Sequence, residues 1–154
     1  MEDEFEVYKQ AIRIDPDDAR AHNNLGNAYG NLGRYVEAIE SYKQAIRIDP
    51  DDARAHYNLG AAYLKSGKYE EAIESYKQAI EIDPEDADAH YGLGVAYAEL
   101  GKNEEAIESF KQAIKIDPED ADAHNGLGLA YVKSGKYKEA IESYKQAVRI
   151  DPDY

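Results

Sequence analysis

The chain contains no cysteine. That excludes a disulfide framework, thiolate chemistry and any cysteine-based zinc site. Long apolar runs are missing as well. No segment approaches the roughly 20 apolar residues a membrane-spanning helix requires, so no membrane association is expected. Residues 1–15 are acidic where a signal peptide would be basic, which predicts no targeting leader and a cytoplasmic protein. Basic residues are scarce: 18 Lys and Arg stand against 32 Asp and Glu, a net charge of −14. Nucleic-acid binding draws its affinity from clustered Lys and Arg, so this balance argues against it. The acid excess alone names no basic partner, because much of it lies in loops where it has a local role.

What the sequence has is a period. The blocks 19–52, 53–86, 87–120 and 121–154 are four copies of one 34-residue unit. Each begins Ala-x-Ala-His, continues through Leu-Gly and Ala-Tyr to a Gly, and closes with Glu-Ala-Ile-Glu-Ser-(Tyr/Phe)-Lys-Gln-Ala and Ile-Asp-Pro or its Val-Arg-Ile-Asp-Pro variant. A period of this length marks a solenoid, in which each unit buries its apolar face only against its neighbours. Residues 13–26 and 47–60 differ at one position only, surface positions included. Recent duplication and consensus design both produce such identity.

Each unit reads as two helices. In the second unit Ala55, Leu59, Ala62 and Tyr63 recur at spacings of three and four, a helical stripe. Asp51 or Asp52 supplies an N-cap, and Gly67 supplies the left-handed residue that ends a helix. A second stripe runs through Ala72, Ile73, Tyr76, Ala79, Ile80 and Ile82 until Pro84 stops it. Helices of about 14 residues, about 21 Å long, joined by so short a turn must run antiparallel. Gly26, Gly60, Gly94 and Gly128 each cost about 0.5–1 kcal/mol in a helix interior relative to Ala. Their recurrence points to close backbone approach between helices as the compensation.

Taken together, His56, Leu59, Gly60, Tyr63, Ala72, Tyr76, Ala79 and Pro84, with their counterparts in the other units, resemble the tetratricopeptide repeat (TPR). The resemblance covers almost the whole chain. It implies an all-α fold, a right-handed α-solenoid of antiparallel helix pairs. One TPR solenoid is expected over 1–154, with a half repeat (second helix only) at 1–18 followed by the four units. The chain departs from the family pattern in two ways. The fourth position, often Trp in the family, is His22, His56, His90 and His124, and in the family that position packs between the two helices. Asn103 replaces the Tyr of the other units, which predicts a looser turn there. Glu4 stands where the other second helices carry Ala, as expected where no first helix crosses. After Pro152 nothing follows to cover the outer face of the last unit. The expectation is a segment of a longer array or end-to-end self-association through uncapped termini.

Nothing in the sequence assembles an active site. The histidines occupy one repeated position, where an imidazole fills the slot of a larger aromatic. Ser41, Ser75, Ser109 and Ser143 are one repeated helix position without a nucleophile elbow. The acid clusters between units, such as Asp49, Asp51 and Asp52, lack the alternating calcium loop and are read as helix caps. No enzyme activity, metal or cofactor is expected.

The resemblance places function in the concave groove lined by first helices, at repeat positions two, five, six, nine, twelve and thirteen. Carried across, the candidate site comprises Arg20, Asn23, Asn24, Asn27, Arg54, Tyr57, Asn58, Lys65, Tyr91, Val95 and Leu129. Asn24 and Asn58 share one position and offer paired donors and acceptors to a peptide backbone. Gly92 and Gly126 break that ladder after two rungs. Arg20 and Arg54 suit an acidic group, whereas Tyr91, Val95 and Leu129 suit an apolar side chain. The expected function is a protein-interaction scaffold for an extended protein or peptide ligand; the alternative is a structural, self-associating scaffold with no evolved ligand.

Overall fold

The computed structural model describes the backbone of residues 2–154 and the side chains from Glu4 onward; Met1, within the expected half repeat, lies outside the described residues. The chain forms two compact units, Met1–Ile82 and Asp83–Tyr154. The first holds α1 (Glu2–Ile14), α2 (Ala19–Asn31), α3 (Tyr35–Ile48), α4 (Ala53–Lys65) and α5 (Tyr69–Ile82). The second holds α6 (Ala87–Glu99), α7 (Asn103–Ile116), α8 (Ala121–Lys133) and α9 (Tyr137–Ile150). Among the described residues there is no strand, and no helix is long and apolar enough to cross a membrane.

Local chemistry sets the helix ends. Of the two acids able to cap α4, it is Asp52 that does so, accepting from the amide of Arg54 at 3.0 Å. Asp18, Asp86 and Asp120 cap α2, α6 and α8 in the same way. The earlier Asp of each turn acts within the turn itself. Asp49 accepts from the amide of Asp51, and Asp83 from that of Glu85, pinning the turn. Within each pair, Gly33, Gly67, Gly101 and Gly135 adopt φ between 71° and 77°. This lets the next amide return to the carbonyl of Tyr29, Tyr63, Tyr97 or Tyr131, at 2.9 Å in every case.

The histidines, half-buried or, at His124, buried, also hold the turns. Nε2 of His22, His56, His90 and His124 meets the carbonyl oxygens of Pro16, Pro50, Pro84 and Pro118 at 2.8–2.9 Å. A carbonyl only accepts, so each imidazole donates from Nε2. The ring thereby straps the proline turn to the helix that follows it, which an aromatic hydrocarbon at this position could not do.

Packing follows the two stripes. In the first unit Ala38, Ile39, Tyr42, Ala55, Leu59, Ala72, Ile73 and Tyr76 are buried. In the second, Ala106, Ile107, Phe110, Leu127, Ala130 and Tyr131 form one cluster. The interior glycines answer to an aromatic ring, not to a neighbouring backbone. A Cβ on Gly26 would stand 2.6 Å from the Tyr42 ring, one on Gly60 3.0 Å from Tyr76, one on Gly94 2.9 Å from Phe110 and one on Gly128 2.7 Å from Tyr144. Each second helix lays its aromatic across the glycine of its own first helix. Helix α1 packs on α2 with Phe5 against Tyr29, ring centroids 5.0 Å apart, and Glu4 stays exposed. On α9, Ile141 is 55 % exposed where its counterpart Ile107 is 4 %.

The turn before α7 is not loosened by Asn103. The helix starts in register with the others, and the amide of Lys102 reaches Tyr97 O at the same 2.9 Å. The cost appears elsewhere, in a buried Asn103 Oδ1 with no hydrogen-bond partner. Asn103→Tyr removes that orphan and restores the residue of the other units. It is expected to stabilise the protein by about 1 kcal/mol, since an unpaired buried acceptor carries a penalty of about 1–3 kcal/mol. A urea midpoint that fails to rise would contradict this account.

Candidate functional site

In the first unit α2 and α4 are neighbours, and with Tyr35 and Tyr42 of α3 they enclose an open groove of about 420 Å³. Asn27, Tyr57, Asn58 and Lys65 line it. The Tyr42 hydroxyl donates to Asn27 Oδ1 at 2.7 Å, and burial pushes this phenol up to about 12. Tyr57 meets the buried Tyr76 ring nearly edge-on at 5.8 Å. Burial, and secondarily Tyr57, raises the Tyr76 phenol further still. The groove therefore has neutral phenol walls and amide edges.

The rest of the expected first-unit set lies outside this lining. Asn23 is only 8 % exposed, and its Oδ1 accepts from Asn58 Nδ2 at 3.1 Å, a side-chain bridge between α2 and α4. Arg54 folds back on its own cap, with Nε and Nη2 each 3.3 Å from an Asp52 carboxylate oxygen. Arg20 and Asn24 are exposed and do not line the groove. Arg20 and Arg54 stand in first turns, where the helix dipole favours acids by about 0.3–1 kcal/mol. Their counterparts on α6 and α8 are Asp88 and Asp122, which obey that rule.

In the second unit the cleft between α6 and α8 is smaller, about 160 Å³, and more apolar. Tyr91, Val95 and Leu129 all line it, together with Ala98 and Gly126. Phe110, 2 % exposed, reaches through from α7 as the floor, its ring 5.7 Å from that of Tyr91. A Cβ on Gly126 would stand 2.8 Å from Phe110, so this glycine keeps the floor in place as well as interrupting the amide ladder. Asp122, a lining residue, accepts from the Tyr154 hydroxyl at 2.5 Å. That bond, ahead of burial, pushes the Tyr154 phenol up to about 12. The Asp88 carboxyl is raised by burial first and then by Asp86, Asp120 and Asp117; the Tyr91 phenol is raised by burial and then by Asp122 and Asp120. Glu99 and Lys133 also line the cleft, so acids outnumber bases around it.

Sequence reasoning missed Tyr35, Tyr42 and Phe110 as groove residues, because they belong to second helices. The signal for Tyr42 and Phe110 was the glycine opposite each ring. The hydroxyls of Ser41, Ser109 and Ser143 donate to carbonyls of their own helices at 2.9–3.1 Å. Among the described residues, no group of three His, Cys, Asp or Glu is placed to hold a metal ion.

A family model described as the cilia and flagella-associated protein 70 C-terminal domain, a TPR domain, matches residues 3–152. Several solved structures share the fold. The crystal structure of MamA is 32 % identical over 97 % of this chain and 87 % of its own, with a TM-score of 0.92. MamA 41-end from Desulfovibrio magneticus RS-1 is 28 % identical over 97 % and 84 %, with a TM-score of 0.91. YrrB, described as a TPR protein with an unusual peptide-binding site, is 27 % identical over 97 % and 77 %, with a TM-score of 0.86. No curated protein matches in sequence. With its 34-residue period, all-α helix pairs, turn glycines and ring-on-glycine packing, the chain belongs to the tetratricopeptide-repeat family, in the group described by the C-terminal domain of cilia and flagella-associated protein 70.

Proposed function

We propose that the chain is a protein-interaction scaffold, without chemistry of its own, that binds extended peptide segments along its first helices. The observation that carries this reading is the first unit's groove. Its walls are neutral phenols and its edges are the amides of Asn27, Asn31 and Asn58, with Lys65 at the mouth. Amides offer both donors and acceptors, the complement of a peptide bond, and Lys65 suits an acidic group on the ligand. The likeness to YrrB, a TPR protein with a peptide-binding site, supports the same reading. The four His side chains and the hydroxyls of Ser41, Ser109 and Ser143 are engaged in holding turns and helices.

The test is a peptide-library screen on the parent protein and on Asn58→Ala/Lys65→Ala. Peptides enriched on the parent should lose at least about tenfold in affinity on the variant, about 1.4 kcal/mol, while the helical circular dichroism is unchanged. Absent enrichment would favour a self-associating structural scaffold, a reading to which the exposed Ile141 and Val148 on α9 lend weight.

A further inference from the structure

The cleft of the second unit differs from the groove of the first in charge as well as in polarity: Glu99, Asp122 and Lys133 line the cleft, where Lys65 is the charged residue lining the groove. The cleft's 160 Å³ is the volume of about five waters at ~30 Å³ each. That admits one large side chain and no more. Tyr91, Val95 and Leu129 with the floor Phe110 give the cleft an apolar patch, Leu129 being 47 % exposed, and Glu99, Asp122, Asn125 and Lys133 complete the lining with acids outnumbering bases. At the N-terminal ends of the same two helices stand Asp88 and Asp122, beside the capping Asp86 and Asp120. Among the described residues, no Lys or Arg forms an ion pair with any of these four. Partial burial first, and then the neighbouring Asp86, Asp120 and Asp117, raise the Asp88 carboxyl.

We propose that this cleft takes a peptide segment bearing one large apolar side chain and, within about three residues of it, a Lys or Arg that neutralises the Asp88 and Asp122 rim. The spacing follows from the helix. Asp88 and Val95, like Asp122 and Leu129, are seven residues apart, hence about 10 Å along the axis. An extended chain covers that distance in about three residues. The inference rests on the peptide-binding reading above and assigns the second unit a ligand chemistry opposite in charge to that of the first.

The test uses the full chain and three capped, fluorescein-labelled ten-residue peptides in an Ala/Ser background, read by anisotropy at low salt. One carries Leu with Arg three residues on, one has Glu in place of Arg, and one has Ser in place of Leu. The Leu/Arg peptide should bind at least about tenfold more tightly than the Glu peptide, a preference that salt weakens. Asp88→Asn/Asp122→Asn should erase the Arg-over-Glu preference while leaving Tyr154 an acceptor at residue 122. Leu129→Ser, at an exposed position, should erase the Leu-over-Ser preference. Equal binding of the Arg and Glu peptides, or a preference that survives the double substitution, overturns the proposal and leaves the scaffold reading standing. Failure of these peptides and of every library peptide to bind overturns both.

Discussion

Gly94→Leu is expected to make the second unit unfold at a markedly lower urea concentration than the first. A Cβ at this position would lie 2.9 Å from Cδ1 and Cε1 of Phe110, inside van der Waals contact before the rest of the leucine is added. Phe110 cannot give way. It is 2 % exposed and packed among Ile107, Leu127, Ala130 and Tyr131, with Tyr91 and Val95 against the cluster. Overpacking a tight core costs about 1–3 kcal/mol for smaller insertions, and a whole leucine set against a fixed ring should cost about 3 kcal/mol or more. Repeat proteins lose stability locally when one interface fails, so helical circular dichroism should fall in two steps where the parent shows one. Gly128→Leu is the control. Its Cβ would lie 2.7 Å from Tyr144, a shorter contact, but Tyr144 is only partly buried on α9 and so has more room to shift than Phe110. Its penalty should be less than half as large. Equal losses at the two sites, or a parent-like midpoint for Gly94→Leu, would refute the ring-on-glycine account.

Helix ends and pairings were readable from the sequence because their causes are local. The left-handed glycine at 67 and the stop at Pro84 each depend on residues within a few positions, and the structure has them where the 34-residue period puts them. The reason for the interior glycines was not readable. The spacing of Gly60 and Ala72 says that something comes close, but only the packed helix reveals a Tyr76 ring rather than a backbone. The turn-holding role of the histidines was hidden for a similar reason. Position four told of burial between helices, whereas the hydrogen bond to a proline carbonyl six residues earlier depends on how the turn folds back.

The candidate site was the least readable part. Repeat position indicates which side of a helix a residue occupies, not what its side chain finds there. Asn23 and Asn58 are 35 residues apart in the chain and bond to each other. Asp122 is 32 residues from the Tyr154 hydroxyl it accepts from. Such pairings turn nominal groove residues into structural bridges, or give a wall carboxylate a phenol partner that leaves its charge in place. Conversely, Phe110 entered the site from a second helix only because Gly94 and Gly126 leave it room. That dependence makes Phe110 the residue on which fold and site meet.

Phe110→Ala should therefore have two consequences from one cause. Loss of a fully buried phenyl costs about 3–5 kcal/mol, toward the upper end where the surroundings cannot collapse into the void. Two of the positions against the ring, Gly94 and Gly126, have no side chains to move in, so any relaxation falls to flanking side chains such as Ile107, Leu127, Tyr91 and Val95. The same substitution removes the floor of the cleft beneath Tyr91, Val95 and Leu129, so the apolar side chain of a ligand should lose its contact surface. Phe110→Tyr separates the two effects. Three of the four units carry Tyr at this position, so the ring and the floor survive, at a cost of about 1–3 kcal/mol for a buried hydroxyl without the amide partner that Tyr42 finds in Asn27. In urea denaturation the Ala variant should be clearly the more destabilised of the two. In anisotropy with the Leu/Arg peptide, at a temperature where both are folded, only the Ala variant should lose its preference for Leu over Ser. A Phe110→Ala protein with an unmoved urea midpoint would mean that the floor is not part of the second unit's core. One that is destabilised yet keeps the Leu preference would place the apolar contact elsewhere on the surface.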